Sequence, residues 1–553
     1  LRPVHPAAAA ARTYHSARTS PNGRVGSSNV TVADMPVIRP DTTPCVVPLF
    51  AGLKFEDFSP KPFEFTPPAT CPGPWAKVVL EVDLAVTAGI QFDRTATIGI
   101  GAATVFFGTT AEPSPNLAPS WHVARDVTDL SALFKGTQSG QVSIGNEVTG
   151  PYTGIIIGSA RLDFYPPDTK FPAPLVADVV VPLADSNGNP VALNTSASQL
   201  TASFTPPTNV VRAYLDVMSQ GQSTDEFWYS CFPNNLAGPL GNCGNTAFRE
   251  TEVAVDSRPA GVAPIYPWIF TGGVDPYLWI PTPGVQTLNF RPYRVDLTPF
   301  AGTLDNNAVH QVAISVFNAD SYFAATGNLL LFLDHDAKGP LSGAIDDDTL
   351  GATPPETIGE QGNFSPNGGI ETNSQRSFHI AGHVTTSHGT VHTVVSETLD
   401  FHQHQAIVDS DTAFVQKIYQ DTRVSSQTSS TGNQPGSGTT QAAFDYPFTF
   451  DYAYVVAQSG ASTQTTTIRQ GYQSSITHLG SRGPALTSTT TNIVSPTDQL
   501  NFDANGNFLG NSNAANTQVY KYQDSTGVCY GKVVRSANNI VTKIGKIGCQ
   551  AAP

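Results

Sequence analysis

The chain has 553 residues, only 13% of them charged, with 44 Pro, 47 Gly and a formal net charge of −15. That acidic balance excludes a nucleic-acid partner, which needs a basic face. The lack of a long apolar run or a basic amphipathic stretch excludes a spanning helix and a membrane-surface helix.

Frequent Ser, Thr, Val and Asn, Gly/Pro punctuation and no amphipathic helix beyond three turns predict an all-β chain of about three domains. Residues 1–43 have no sustained periodicity and read as an N-terminal extension. Domains are expected at 44–170, 171–337 and 338–553. Lys77–Leu84 alternates apolar and polar residues, as a half-buried strand does. Gly89-Ile90-Gln91 then turns the chain into Phe92-Asp93-Arg94. At a strand end, a carboxylate able to activate water and a cation able to hold an oxyanion form a minimal amide-hydrolysis pair. The bland alternative is a surface ion pair.

The chain then repeats itself. Val79–Val82, Asp126-Val127-Thr128 and Gln141-Val142-Ser143-Ile144 return as Tyr214–Val217, Asp296-Leu297-Thr298 and Gln311-Val312-Ala313-Ile314. Phe92-Asp93-Arg94-Thr95 has a loose counterpart in Phe248-Arg249-Glu250-Thr251. Four matches in one order predict two similar β-sandwiches side by side, joined near Pro166-Pro167 and Asn187–Pro190. The second half carries an insertion, Asp225-Glu226-Phe227-Trp228-Tyr229-Ser230-Cys231 through Cys243. A loop of acids and aromatics is a natural recognition element, or else a solvated loop whose rings pack locally.

Beyond residue 340, strands rich in Thr, Val, Ser and Gln predict a C-terminal β-rich domain, with Ser425–Thr440 read as a flexible loop. Six of the twelve His fall within residues 379–404: His379, His383, His388, His392, His402 and His404. His402-Gln403-His404 has the spacing for two ligands on one strand face. No Cys or Glu completes a zinc pattern, so surface or pH-responsive histidines are expected and no metal is assigned.

The six cysteines lie in three separated pairs, which predicts disulfides in an oxidising compartment. Fifteen connectivities are open. Cys45–Cys71, Cys231–Cys243 and Cys529–Cys549 are favoured because each closes a short local loop. With two Met and a start at Leu1, a processed protein, secreted or periplasmic, is expected. A monomer is the default, and N-x-[ST] sequons stand at Asn29, Asn194 and Asn363.

Taken together, several segments resemble the peptide N-glycanase A family of acidic plant and fungal enzymes. They are Cys45 through Thr66-Pro67-Pro68 and Cys71-Pro72, Phe92-Asp93-Arg94, Thr110-Ala111-Glu112-Pro113, Asp126-Val127-Thr128 and Tyr152-Thr153-Gly154. Asp225–Tyr229, Phe248-Arg249-Glu250, Thr271-Gly272-Gly273, Pro276–Trp279 and Gly382-His383-Val384 belong to the same set. The chain is similar to a bacterial-style, acid-active member, and more distantly resembles peptide N-glycanase F, a pair of eight-stranded jelly rolls. The resemblance implies two adjacent jelly rolls plus a C-terminal β-rich domain. It implies an amidase that releases an intact N-glycan, as a glycosylamine, from N-glycopeptides or N-glycoproteins while converting Asn to Asp, with no cofactor.

On that resemblance Asp93 is the residue that orients or deprotonates water, and Arg94 holds the oxyanion or the chitobiose. A second family acid aligns near Glu147, with Asn146 beside it. The place of a third is held by Asn245, so its role passes to Glu226 in the neighbouring Asp225-Glu226 pair. Trp228, Tyr229 and Trp279 would stack on sugar rings. Glu112, Asn146, Asp225 and Arg249 would bind the sugar. An endo-β-N-acetylglucosaminidase or a non-catalytic glycan-binding protein are the alternatives.

Overall fold

A computed structural model describes residues 23–362, 364, 367–432, 437–480 and 484–549. The first strands are β1 (Cys45–Phe55), β2 (Lys61–Phe65), β3 (Lys77–Val86), β4 (Thr95–Ile100), β5 (Ala103–Thr109), β6 (Ser120–Asp126), β7 (Gln138–Ile144) and β8 (Ile156–Tyr165). They form two four-stranded sheets ordered β1-β8-β3-β6 and β2-β7-β4-β5, the connectivity of a jelly roll. Next come β9 (Val179–Leu183), β10 (Val191–Leu193), β11 (Leu200–Phe204), β12 (Val210–Gln222), β13 (Glu250–Val255), β14 (Arg258–Pro264), β15 (Tyr293–Asp296), β16 (His310–Phe317) and β17 (Tyr322–Leu333). Their sheets run β10-β17-β12-β15, with β9 added on β17, and β11-β16-β13-β14. Apart from β9 the order is that of the first sandwich repeated.

The four sequence matches fall on equivalent strands: β3 with β12, the end of β6 with the end of β15, β7 with β16, and the entry to β4 with the entry to β13. The shared Asp-x-Thr has one local cause. Asp126 Oδ1 accepts the Thr128 amide at 3.1 Å, and Asp296 Oδ1 accepts the Thr298 amide at 3.0 Å, each an Asx turn that leads the chain into the 3₁₀ segment that follows.

The sandwiches dock through small residues. A side chain on Gly99 would collide with the Asn187–Gly188 turn. Thr104 Oγ1 donates to Gly188 O at 2.8 Å. The remaining described chain, from Ser342–Asp348 to Ile540–Lys546, is one twelve-stranded antiparallel sheet. Its strands include Asn367–Thr386 and Gly389–Ser410, of 20 and 22 residues, which alternate strictly between buried and open positions. The buried face shares one core with the second jelly roll: Trp228, Phe248 and Ile269 pack with Phe401, Ile418, Phe448 and Ile468. Among the described residues helix is confined to short turns, and no helix is long and apolar enough to cross a membrane.

Several expectations are corrected. Of the N-terminal extension, 1–22 lie outside the described residues, and 23–40 are pinned to the body of the protein. Asn29 exchanges hydrogen bonds with Ser120, Arg39 pairs with Glu81, and Ala33 N donates to Gln518 Oε1 at 2.6 Å. This cover explains why β3 is buried on both faces despite its alternating sequence. Ser425–Thr440 is not a loop. Ala413–Thr431 and Gly438–Asp445 are strands, because Ser/Thr alternation suits an open strand face as well as a turn; residues 433–436 lie outside the described residues, as does Asn363. Disulfides join Cys231–Cys243 and Cys529–Cys549, but Cys45 and Cys71 are free thiols. Their side chains meet, and burial first, then the Cys45 contact, pushes the Cys71 thiol up to about 11.

Candidate active site

Asp93 sits where β4 begins. The pairing of β4 with β5 is extended back to the next residue, Arg94: Thr110 N donates to Arg94 O at 2.8 Å, and Arg94 N to Thr110 Oγ1 at 2.8 Å. Glu112 follows β5, and its amide donates to Thr271 Oγ1 at 2.9 Å. Thr271 belongs to the long β14–β15 connection of the second jelly roll, which reaches across to the first. Gly272 N then donates to Asp93 Oδ2 at 2.8 Å. Glu226 comes from the 3₁₀ segment Ser223–Ser230 that follows β12. A Cβ built on Gly273 would stand 3.4 Å from Glu226 Oε1. One on Gly272 would overlap Glu112 Oε2 and stand 3.1 Å from Asp93 Oδ1. Three half-buried carboxyls, two from the first jelly roll and one from the second, thus converge on a Gly-Gly backbone.

Crowding carboxyls in a partly dry site separates their proton affinities. Burial pushes Asp93 up to about 6, opposed by the Gly272 amide and by Arg94. Burial, then the Asp93 charge, raises Glu112 to about 8. The same two causes raise Glu226 to about 8. Near neutrality the site therefore holds one carboxylate and two carboxylic acids. Arg94 Nη2 donates to Gln91 Oε1 at 2.7 Å, and its Nε is buried with no partner among the described residues. Phe92, half-exposed, packs on Tyr152 with ring centroids 5.2 Å apart, and Arg94 lies over the Phe92 ring. No site residue here makes a metal-ligating set: Glu112, Asp93 and Glu226 share no such cluster among the described residues.

The structure brings together Asp93, Arg94, Glu112 and Glu226. It does not bring the other expected residues to this surface. Trp228, Tyr229 and Trp279 are 2%, 0% and 3% exposed, so they cannot stack on a sugar. The C-terminal sheet covers them: Trp228 faces Phe401, and Tyr229 faces Phe448. Trp279 instead donates Nε1–H to Gly273 O at 2.9 Å and holds the glycine pair in place. Asp225 and Arg249 form a fully buried ion pair at 3.0 Å, with Asp225 Oδ2 accepting the amides of Asp320 and Ser321. This pair anchors the segment that carries Glu226. Asn146 is buried and donates to Phe55 O and Gly154 O, tying loops together. Glu147 is exposed and meets the site only through its carbonyl, which accepts from Gln91 Nε2 at 2.9 Å. Asn245 hydrogen-bonds Asn234 beyond the Cys231–Cys243 disulfide. The sequence reading gave no site role to Gly272, Gly273 or Gln91, although the first two stand in a segment that carries the resemblance. A Gly-Gly pair next to acids was the available signal, since glycine is required where backbone approaches other groups closely.

A cavity of about 450 Å³ lies elsewhere, between the second jelly roll and the C-terminal sheet, lined by Tyr266, Tyr446, Tyr472 and Glu397. None of the three acids reaches it.

A family profile described as peptide N-acetyl-beta-D-glucosaminyl asparaginase amidase A matches residues 52–349. Peptide-N4-(N-acetyl-beta-glucosaminyl)asparagine amidase A of Prunus dulcis is 30% identical over 384 residues, 65% of this chain and 66% of the almond protein. The chain thus spans just under two thirds of that relative. Among solved structures, PNGF-II aligns with a TM-score of 0.37 at 13% identity over 53% of this chain and 66% of its own. PNGase F, a glycosylasparaginase from Flavobacterium meningosepticum, aligns at 0.34 and 14% identity over 54% of this chain and 98% of its own. The expectation of a bacterial-style member finds no support in these matches.

Proposed function

Because this chain belongs to the peptide N-acetyl-beta-D-glucosaminyl asparaginase amidase A family, we propose that it hydrolyses the amide between an Asn side chain and the first N-acetylglucosamine of an N-glycan. The observation that carries this reading is the convergence of Asp93, Glu112 and Glu226 on Gly272–Gly273, with proton affinities pushed apart. A site with one base and nearby acids suits water attack on an amide. Asp93 takes the proton of a water that adds to the Asn side-chain carbonyl. Arg94, with its unpartnered Nε, stabilises the oxyanion. The C–N bond then breaks as Glu226 protonates the leaving nitrogen. The products are an Asp side chain and a glycosylamine, which water converts to the free glycan and ammonia. Glu112, neutral near pH 7, donates to the sugar, and the exposed Phe92 ring, backed by the half-buried Tyr152, offers the apolar face that the buried tryptophans cannot.

The working range follows from the same groups. The base must be ionised, so activity rises through about pH 6; the acid must be protonated, so activity falls through about pH 8. On this reading the maximum lies midway between the two, at about pH 7, rather than at acid pH. The disulfides and the family suit work outside the cytoplasm, as a monomer on glycopeptides and glycoproteins.

Mass spectrometry of a glycopeptide treated with purified protein decides the matter. Amide cleavage leaves a sugar-free peptide heavier by about 1 Da through Asn→Asp, the consequence of the carbonyl attack described. A peptide retaining one N-acetylglucosamine would indicate glycosidase chemistry instead, and an untouched peptide would indicate a glycan-binding protein.

A further inference from the structure

The histidine-rich outer face of the C-terminal sheet is not used by this chemistry. His383 and His392 are a cross-strand pair, directly opposite each other on Asn367–Thr386 and Gly389–Ser410. Their ring centroids are 5.6 Å apart. On the far side of His383 runs Ser342–Asp348, whose pairing slips between Ile345 and Asp347. A strand alternates its side chains, so neighbours normally face opposite ways. The bulge breaks that rule and turns both Asp346 and Asp347 outward. Asp346 then stands beside both imidazoles, Oδ1 2.6 Å from His383 Nδ1 and Oδ2 3.8 Å from His392 Nδ1. Asp347 is drawn off by His379 at 2.7 Å, which leaves Asp346 to the other two.

The framework behind this trio is rigid. Any side chain on Gly343 would collide with His383 O, and one on Gly382 with Pro299 O. The strands are therefore pressed directly on the turn after β15, and the three donors are held from behind while their outer sides stay open to solvent. One donor atom from each of Asp346, His383 and His392 lies within 4.8 Å of the others.

We propose that Asp346, His383 and His392 form a binding site for a divalent transition ion of the zinc type. Two imidazoles and one carboxylate are the donor set that borderline ions prefer, and it excludes the all-oxygen chemistry of calcium or magnesium. Bonds of about 2.0–2.2 Å at tetrahedral angles hold donors roughly 3.3 Å apart, so the exposed side chains need only small rotations. Water completes the coordination on the open side. The ion would tie three strands together at the edge of the sheet. The sequence could not show the site because its ligands come from three strands and one depends on a bulge.

A second trio, Asp334, Asp336 and His388, is the internal control. There Asp334 already accepts the Ser387 amide at 2.8 Å and the Ser387 hydroxyl at 2.9 Å, so its oxygens are engaged. The test is equilibrium dialysis of the full chain against micromolar zinc chloride at pH 7.5, read by metal analysis. The wild type is expected to hold zinc, and His388→Ala to hold it equally. His383→Ala/His392→Ala should bind at least ~10-fold more weakly, since loss of even an outer partner of a ligand costs that much. Should the double variant fail to fold, Asp346→Ala and the imidazole NMR signals of the wild type during zinc titration serve instead, with His383 and His392 expected to shift. No zinc uptake by the wild type, uptake unchanged in the His383/His392 variant, or uptake abolished by His388→Ala would each overturn the assignment.

Discussion

Asp93 keeps its carboxylate on the Gly272 amide while Arg94 lies next to it, and burial still wins, holding the group near pH 6. Replacing it with Asn preserves the hydrogen bond to the backbone and removes the base. Glycopeptide hydrolysis should fall by roughly 10²–10⁴-fold with an unchanged circular dichroism spectrum. Near-native turnover would remove Asp93 from the chemistry. Glu226 gives a prediction of the opposite kind. Its folded-state pKa is raised from 4.5 to about 8, so the folded protein is favoured while the group is protonated and loses that advantage as pH rises from about 4.5 through 8. Glu226→Gln should match wild-type stability at pH 4 and exceed it by roughly 3–4 kcal/mol at pH 8 in urea unfolding, while losing activity. A variant no more stable than wild type at pH 8 would mean that Glu226 is not held neutral by its surroundings. At this scale the sequence was legible in part: it named Asp93, Arg94, Glu112 and Glu226, which the structure brings together, but also Asn146, Glu147, Asp225, Asn245 and Arg249, which lie elsewhere. Asp93 could be named as half of an acid–cation pair at a strand end, and Glu226 only through the family resemblance, as the acid near the place that Asn245 holds. Trp228 and Tyr229 could not be placed, because whether an aromatic ring faces a ligand or a core depends on the sheet from residue 342 onward that closes over it.

Two neighbouring elements set the geometry of the acids: the β14–β15 connection, which supplies Gly272, and the 3₁₀ segment, which supplies Glu226. Gly272→Ala places a methyl group into Glu112 and against Asp93. Activity should drop at least ~10-fold, since about 1 Å of misplacement has a large effect on catalysis, with little change in melting temperature because the turn is at the surface of the site. An equal fall in stability would show that the turn is structural first. The Asp225–Arg249 pair anchors the other element. Asp225→Ala leaves a buried guanidinium unpaired and should cost about 3–5 kcal/mol in chemical denaturation. Elements were legible where the repeat fixed them, since matching strands must serve matching positions in two jelly rolls. Ser425–Thr440 was misread because its composition is shared by loops and by solvent-facing strands, and only pairing with Gly389–Ser410 and Ser462–Gly480 distinguishes them.

The second jelly roll and the C-terminal sheet are one folding problem. Phe248 packs on Phe401, and Tyr229 is enclosed by Phe448 and Phe450, so neither side has a finished core alone. A fragment ending at residue 337 should therefore be insoluble or lack near-UV circular dichroism, whereas a soluble fragment with a cooperative melt would contradict a shared core. The segment 23–40 adds a constraint of timing. Ala33 hydrogen-bonds Gln518, 485 residues downstream, and Tyr530 and Lys532 donate to Ala33, Asp34 and Val32. At about 5–20 residues per second the ribosome delivers these partners roughly 25–100 s after the segment itself. Throughout that interval the outer face of β3, with Glu81 on it, stands without its far anchorage. The first jelly roll is thus translated early but locked last, and in a nascent chain stalled before Gln518 the cover of this sheet face is held only by its near contacts, Asn29 with Ser120 and Arg39 with Glu81.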